Sequence, residues 1–166
     1  MKIMNKLQNK LKKANKDNKG FSLVELIIVI AIMAILVGIV GTQVIPYIDK
    51  SRHSKDIQVL SGLCTDATTA YSSNAASLDS SKTYVITITN GEAGTVTVTG
   101  GTDTENKILK DAFDELNKIG KVSDLKLESK AGKAVKKITI TCQSADPMVE
   151  VQVETGTGSF EKITSK

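Results

Sequence analysis

The chain has no tryptophan, one histidine, two cysteines and two prolines in 166 residues, and aromatic residues make up only 4%. Two thiols 78 residues apart, Cys64 and Cys142, lack metal-ligand spacing and cannot build a structural zinc site without other ligands. The single histidine, His53, falls in a polar stretch and reads as a solvated surface residue. No P-loop, GxGxxG, HExxH or GxSxG pattern occurs, which removes a phosphate cradle, a zinc-protease helix and a nucleophile elbow. The expectation is a protein that is not an enzyme and uses no cofactor and no metal.

Basic charge is also scarce where it would matter. The formal charge is +4, but residues 1–20 hold seven lysines against Asp17, and the remainder of the chain is slightly acidic. The lysines of 126–137 have no interleaved aromatics and have acids nearby, which argues against nucleic acid as a partner. Asp111, Asp114 and Glu115 lie among Lys107, Lys110 and Lys118 and read as a solvated helix face rather than a metal site.

The segment Lys19–Gly41, KGFSLVELIIVIAIMAILVGIVG, dominates what is present. Leu26–Gly41 contains no charge and no side-chain hydrogen bonder, and as a helix Phe21–Gly41 is long enough to span a hydrocarbon core of about 30 Å. Glu25 interrupts it. A carboxylate in a membrane helix costs about 2.5–3.5 kcal/mol on insertion scales and is a functional candidate by default.

A basic leader ending in Gly20, then Phe21, then Glu25 and an unbroken apolar run resembles the class III signal of type IV pilins and their pseudopilin relatives. The resemblance covers about the first 45 residues. It implies a cytoplasmic leader, residues 1–20, cut between Gly20 and Phe21 by a prepilin peptidase. N-methylation of the Phe21 amine follows, with residues 21–45 as the transmembrane and filament-core half of a helix and 46–166 as the head. The implied partners are further pilin copies in a homo- or hetero-polymer, the peptidase, a membrane assembly platform, and lipid before assembly. Glu25 is expected to pair with the Phe21 amine of an adjacent subunit and set register. The competing roles for Glu25 are pairing within its own chain and snorkelling to the interface. An ordinary secretory signal, cut after Gly41, and a plain single-span anchor are the competing readings of the segment. Neither accounts for Glu25. Ala31, Ala34, Gly38 and Gly41 offer small residues for close helix packing, or are ordinary membrane composition.

Beyond Gly41 the apolar spacing of three and four continues through Ile45, Ile48, Ile57, Leu60, Leu63/Cys64, Ala67 and Tyr71. One helix is therefore predicted from about Phe21 to about Asn74, roughly 80 Å long, with a kink or opened turn at Pro46. Its second half is amphipathic and needs a globular partner. Thr83–Thr89 and Thr95–Thr99 alternate around Asn90-Gly91 as a hairpin. Thr102–Glu105 resembles a capping box opening a helix that ends at Gly120. Val135–Cys142 and Val149–Val153 form a second hairpin around Ala145-Asp146-Pro147, with Phe160 and Ile163 docking back. The predicted fold is α+β and pilin-like: a long N-terminal helix on a four-stranded antiparallel sheet, with one short helix between two hairpins.

Two readings of the cysteines stay open: a Cys64–Cys142 disulfide, contributing about 2–4 kcal/mol in an exported body, or two buried free thiols. The function implied is a structural subunit of a pilus or pilus-like filament, located in the cytoplasmic membrane and then at the cell surface. The alternatives are a pseudopilin of a secretion or DNA-uptake apparatus and a membrane-anchored binding domain that never polymerises.

Overall fold

The computed structural model describes residues 21–90 and 96–165. The leader with Gly20, and the Gly91–Thr95 part of the first hairpin, lie outside the described residues. Contacts divide the chain into two units that meet between Ile45 and Pro46.

The described part of the first unit is helical from Leu23 on. Helix α1 spans Leu23–Ile39 and is followed by a π-helical turn, Val40–Val44. Pro46 has no N–H to give to the Thr42 carbonyl, and the ladder is reset just before it: the Ile45 N–H donates to the Val40 carbonyl. The Thr42 hydroxyl takes up the loosened carbonyls, donating to Gly38 O at 3.0 Å and to Ile39 O at 3.4 Å. The opened turn predicted at Pro46 thus lies immediately N-terminal to it. Helix α2, Ile45–Ser73, then carries Pro46 in its first turn, where a missing donor costs nothing.

In the second unit α2 buries Asp56, Leu60, Leu63, Cys64, Ala67, Ala70 and Tyr71. Burial begins only at Asp56, because Ile48 is still 43% exposed. The helix covers the inner face of an antiparallel sheet made of β1 (Tyr84–Thr89), β2 (Val96–Thr99), β3 (Val135–Cys142), β4 (Val149–Thr155) and β5 (Ile163–Thr164). The order is β2-β1-β3-β4-β5.

Register follows the alternation in the sequence. Tyr84 opposes Cys142, Ile86 opposes Ile140, and Ile88 opposes Ile138, all on the inner face. Ile140 in turn faces Val151, and Cys142 faces Val149. Thr87 and Thr139 pair on the outer face with Thr97 and Gln152 beside them. Helix α3, Asp103–Asn117, inserts Leu109 and Phe113 into the same core. Each such side chain, fully buried, is worth about 1.5–3 kcal/mol.

The α+β architecture is as predicted, with a fifth strand added. Two residues of β5 show no alternation to read; Ile163 pairs with Val151 because the tail returns alongside β4. Helix α3 opens on the capping box, with Thr102 N donating to Glu105 Oε2 at 2.7 Å. It stops at Asn117 rather than Gly120, since Lys118 is left-handed (φ 51°) and the Ile119 N–H turns to Asn117 Oδ1. The lysine-rich connection holds a 3₁₀ turn, Val122–Leu125, and a short helix α4, Lys130–Lys133, that no periodicity announced. At the β2–α3 turn Gly100 has φ 111°, and a Cβ there would lie 2.0 Å from the Thr83 carbonyl oxygen.

Candidate functional site

The candidate site is the N-terminal unit. Phe21 is 88% exposed, and no residue of α1 or the π turn is buried. Among the described residues one helical stretch, beginning at Leu23, is long and apolar enough to cross a membrane. Such a surface is stable only against lipid or other apolar helices.

Ser22 precedes α1 in extended conformation, and its N–H donates to Glu25 Oε2 at 2.9 Å. The carboxylate therefore folds back over the first turn, where it also meets the positive end of the helix dipole. Among the described residues its partner is this backbone donor, and no ion pair to it is found. A Cβ added to Gly38 or Gly41 meets nothing within 4 Å. Nothing inside this chain demands glycine there, and the bare backbone is open for close approach by another helix.

The sequence candidates in the second unit fall in three places. Cys64 and Cys142 are both free and buried, and they come together around Val149. Cys64 Sγ points to the Val149 carbonyl at 3.9 Å, and Cys142 is the strand partner of Val149. Burial pushes the Cys142 thiol up to about 12, with the neighbouring Cys64 adding to the shift, and burial also raises Cys64. His53 was expected in solvent; it is half-buried instead, its ring 4.6 Å from that of Phe160. Lys110 pairs with Asp114 along α3, and among the described residues no three His, Cys, Asp or Glu side chains converge on a metal-sized site.

Two constellations were not legible beforehand. Asp56 is 2% exposed and accepts from Glu128 N (2.9 Å), Ser129 N (3.0 Å) and Ser129 Oγ (2.5 Å). Its only sequence signal is an acid set four residues before Leu60 on the apolar stripe. Glu105, beyond capping α3, takes Lys82 Nζ at 2.9 Å and Asp79 N at 3.2 Å. The Thr102 backbone donor and the Lys82 ammonium hold its carboxyl down to about 2. Both constellations hold backbone segments in place.

Residues 15–41 match the family described as the prokaryotic N-terminal methylation motif, and the match stops at Gly41. No curated protein and no solved structure matches the chain. The exposed apolar helix, the lone Glu25 at its start and this match together identify the N-terminal segment as a class III prepilin-type signal, of the kind carried by type IV pilin-like and pseudopilin precursors.

Proposed function

We propose that the chain is a structural subunit, not an enzyme, of a type IV pilus or pilus-like filament. A prepilin peptidase hydrolyses the Gly20–Phe21 bond, leaving a carboxylate on Gly20 and a free amine on Phe21 that is then N-methylated. The seven leader lysines keep residues 1–20 on the cytoplasmic side until the cut removes them. Residues 21–45 rest in lipid and are then extracted by an assembly platform to pack with their copies as a filament core, carrying the 46–166 heads to the cell surface.

The observation that carries this reading is an apolar helix without a single buried residue that begins at a lone carboxylate. Lipid and neighbouring helices are equally apolar, so moving between them yields little by water exclusion. Packing at the bare Gly38 and Gly41 backbone and an ion pair must then select the arrangement. The new Phe21 amine is a cation at neutral pH and competes with Ser22 N–H for Glu25. Reaching the amine of an adjacent subunit, Glu25 sets the helix register.

Mass spectrometry of the mature chain tests the first step, with Phe21 expected at the N-terminus and Thr42 indicating ordinary signal cleavage instead. Shearing cells and identifying the main filament subunit tests the second. Long sheared fibres made of this chain support the pilus reading. Only short, cell-bound assemblies would assign it to a pseudopilin of a secretion or DNA-uptake apparatus.

A further inference from the structure

A groove of about 410 Å³ runs between the C-terminal end of α2 and the outer side of α3. Thr69 and Ser73 line one wall; Ile108, Asp111, Glu115 and Leu116 line the other. Leu116 is 48% exposed and lines the same wall as Ile108 and the Asp111 and Glu115 carboxylates. Neither Asp111 nor Glu115 takes part in an ion pair among the described residues, while Lys110 on the same helix is engaged by Asp114.

The opposite charge is found elsewhere on the head. Residues 126–137 hold five lysines against Glu128 alone. Lys126, Lys130, Lys133 and Lys136 are exposed and have no ion-pair partner among the described residues. This ridge is held rigidly against α2: Asp49 accepts the Lys130 N–H, and Asp56 accepts the Glu128 and Ser129 N–H groups. Ridge and groove therefore touch α2 at different levels, Asp49–Asp56 and Thr69–Ser73. From Asp56 to Thr69 the rise is about 20 Å at 1.5 Å per residue. Across that distance the two patches of one copy cannot neutralise each other, being separated by well over a Debye length of about 8–10 Å.

We propose that the Asp111/Glu115 groove receives the Lys130/Lys133 ridge of a second copy of this chain. Two different, complementary patches on one chain make a heterologous contact, and repeating such a contact builds an open helical polymer rather than a closed dimer. A neighbour displaced by about 20 Å along α2 brings its ridge level with the groove, and the ammonium groups flank Leu116 while their stems cover it. The contact rests on the filament reading above and names the head surfaces by which the copies meet.

Charge reversal in the full-length chain tests the pairing. Asp111→Lys with Glu115→Lys, and separately Lys130→Glu with Lys133→Glu, should each lower sheared-filament yield at least about tenfold, since like charges then oppose each other at the contact. The membrane pool and its processing to Phe21 should be unchanged, which reports folding. The four substitutions combined restore the pairing with its signs exchanged and should return yield to within about threefold of wild type. Wild-type yield from either double variant overturns the proposal, as does a combined variant no better than its parents. Loss from the ridge variant alone would assign the lysines to an anionic surface instead. A wild-type chain that makes no filaments fails the filament reading itself, and this contact with it.

Discussion

The Asp56 carboxylate, on α2, holds Ser129 by both its backbone N–H and its hydroxyl, at 3.0 and 2.5 Å, across 73 positions of sequence. The Ser129 hydroxyl passes the chain on, accepting the Gly132 N–H at 2.9 Å to cap α4. A Cβ on Gly132 would lie 2.2 Å from Asp56 Oδ2, so the carboxylate and the bare backbone require each other.

Replacing Asp56 with Ala removes the acceptor of the Glu128 and Ser129 N–H groups and of the buried Ser129 hydroxyl proton. The expected loss is about 2–4 kcal/mol, since hydrogen bonds to a charged group carry about 1.5–3 kcal/mol each and water can replace only part of them. Urea denaturation measures it, and the ridge of 126–137 should become the first protease-sensitive part of the head. A change below about 0.5 kcal/mol would show that the anchor is dispensable.

Glu25→Gln separates the two bonds open to that side chain. An amide oxygen still accepts the Ser22 N–H, so the helix start should survive, with normal membrane insertion and cleavage after Gly20. The amide has no charge for the Phe21 amine, so filament yield should fall as far as in Glu25→Ala. Wild-type filament yield from Glu25→Gln would reduce Glu25 to a helix cap.

Acid should loosen the β2–α3 corner first. Glu105 is held at about 2, against an ordinary value of 4.5. A carboxylate depressed on folding stabilises above its unfolded value and loses that contribution as pH falls through its folded one. The loss therefore spans about pH 4.5 to 2. Asp79 and Glu150 are lowered as well and act in the same direction; Asp66, raised by burial, acts in the opposite one. Thermal melts of wild type and Glu105→Gln should converge as pH drops through this window. Parallel curves down to pH 2 would contradict the assignment.

The thiols should be silent in the native head. With Cys142 fully buried and its thiol pushed up to about 12, thiolate is scarce at neutral pH and access is blocked. Iodoacetamide should label neither cysteine in the folded chain and both after denaturation. Labelling of neither even when unfolded, with a mass two units lower, would place a Cys64–Cys142 bridge in the head. Cys142→Ser puts an unpartnered hydroxyl among Tyr84, Val149 and Cys64, at an expected cost of about 1–3 kcal/mol.

Elements whose reasons are local were legible in the sequence. The alternation of Val135–Cys142 matches β3 end to end, and the Thr102–Glu105 box opens α3 where it was read. The π turn needed only Pro46, whose missing donor is a property of one residue. Elements whose reasons lie far along the chain were not. Beta strand β5 exists because β4 offers it an edge, and Lys118 ends α3 through a backbone conformation that its side chain does not foretell.

By itself the sequence determined the N-terminal signal, because its marks are local: a glycine before Phe21, a carboxylate at the helix start and an apolar run long enough for a membrane. Tertiary structure decided the roles of the acids in the head. Asp56 and Asp111 both lie on helices among lysines, yet one is sealed under the Ser129 turn and the other faces an open groove. Charge and spacing describe them alike. The difference is desolvation, which depends on what the rest of the chain brings against each carboxylate.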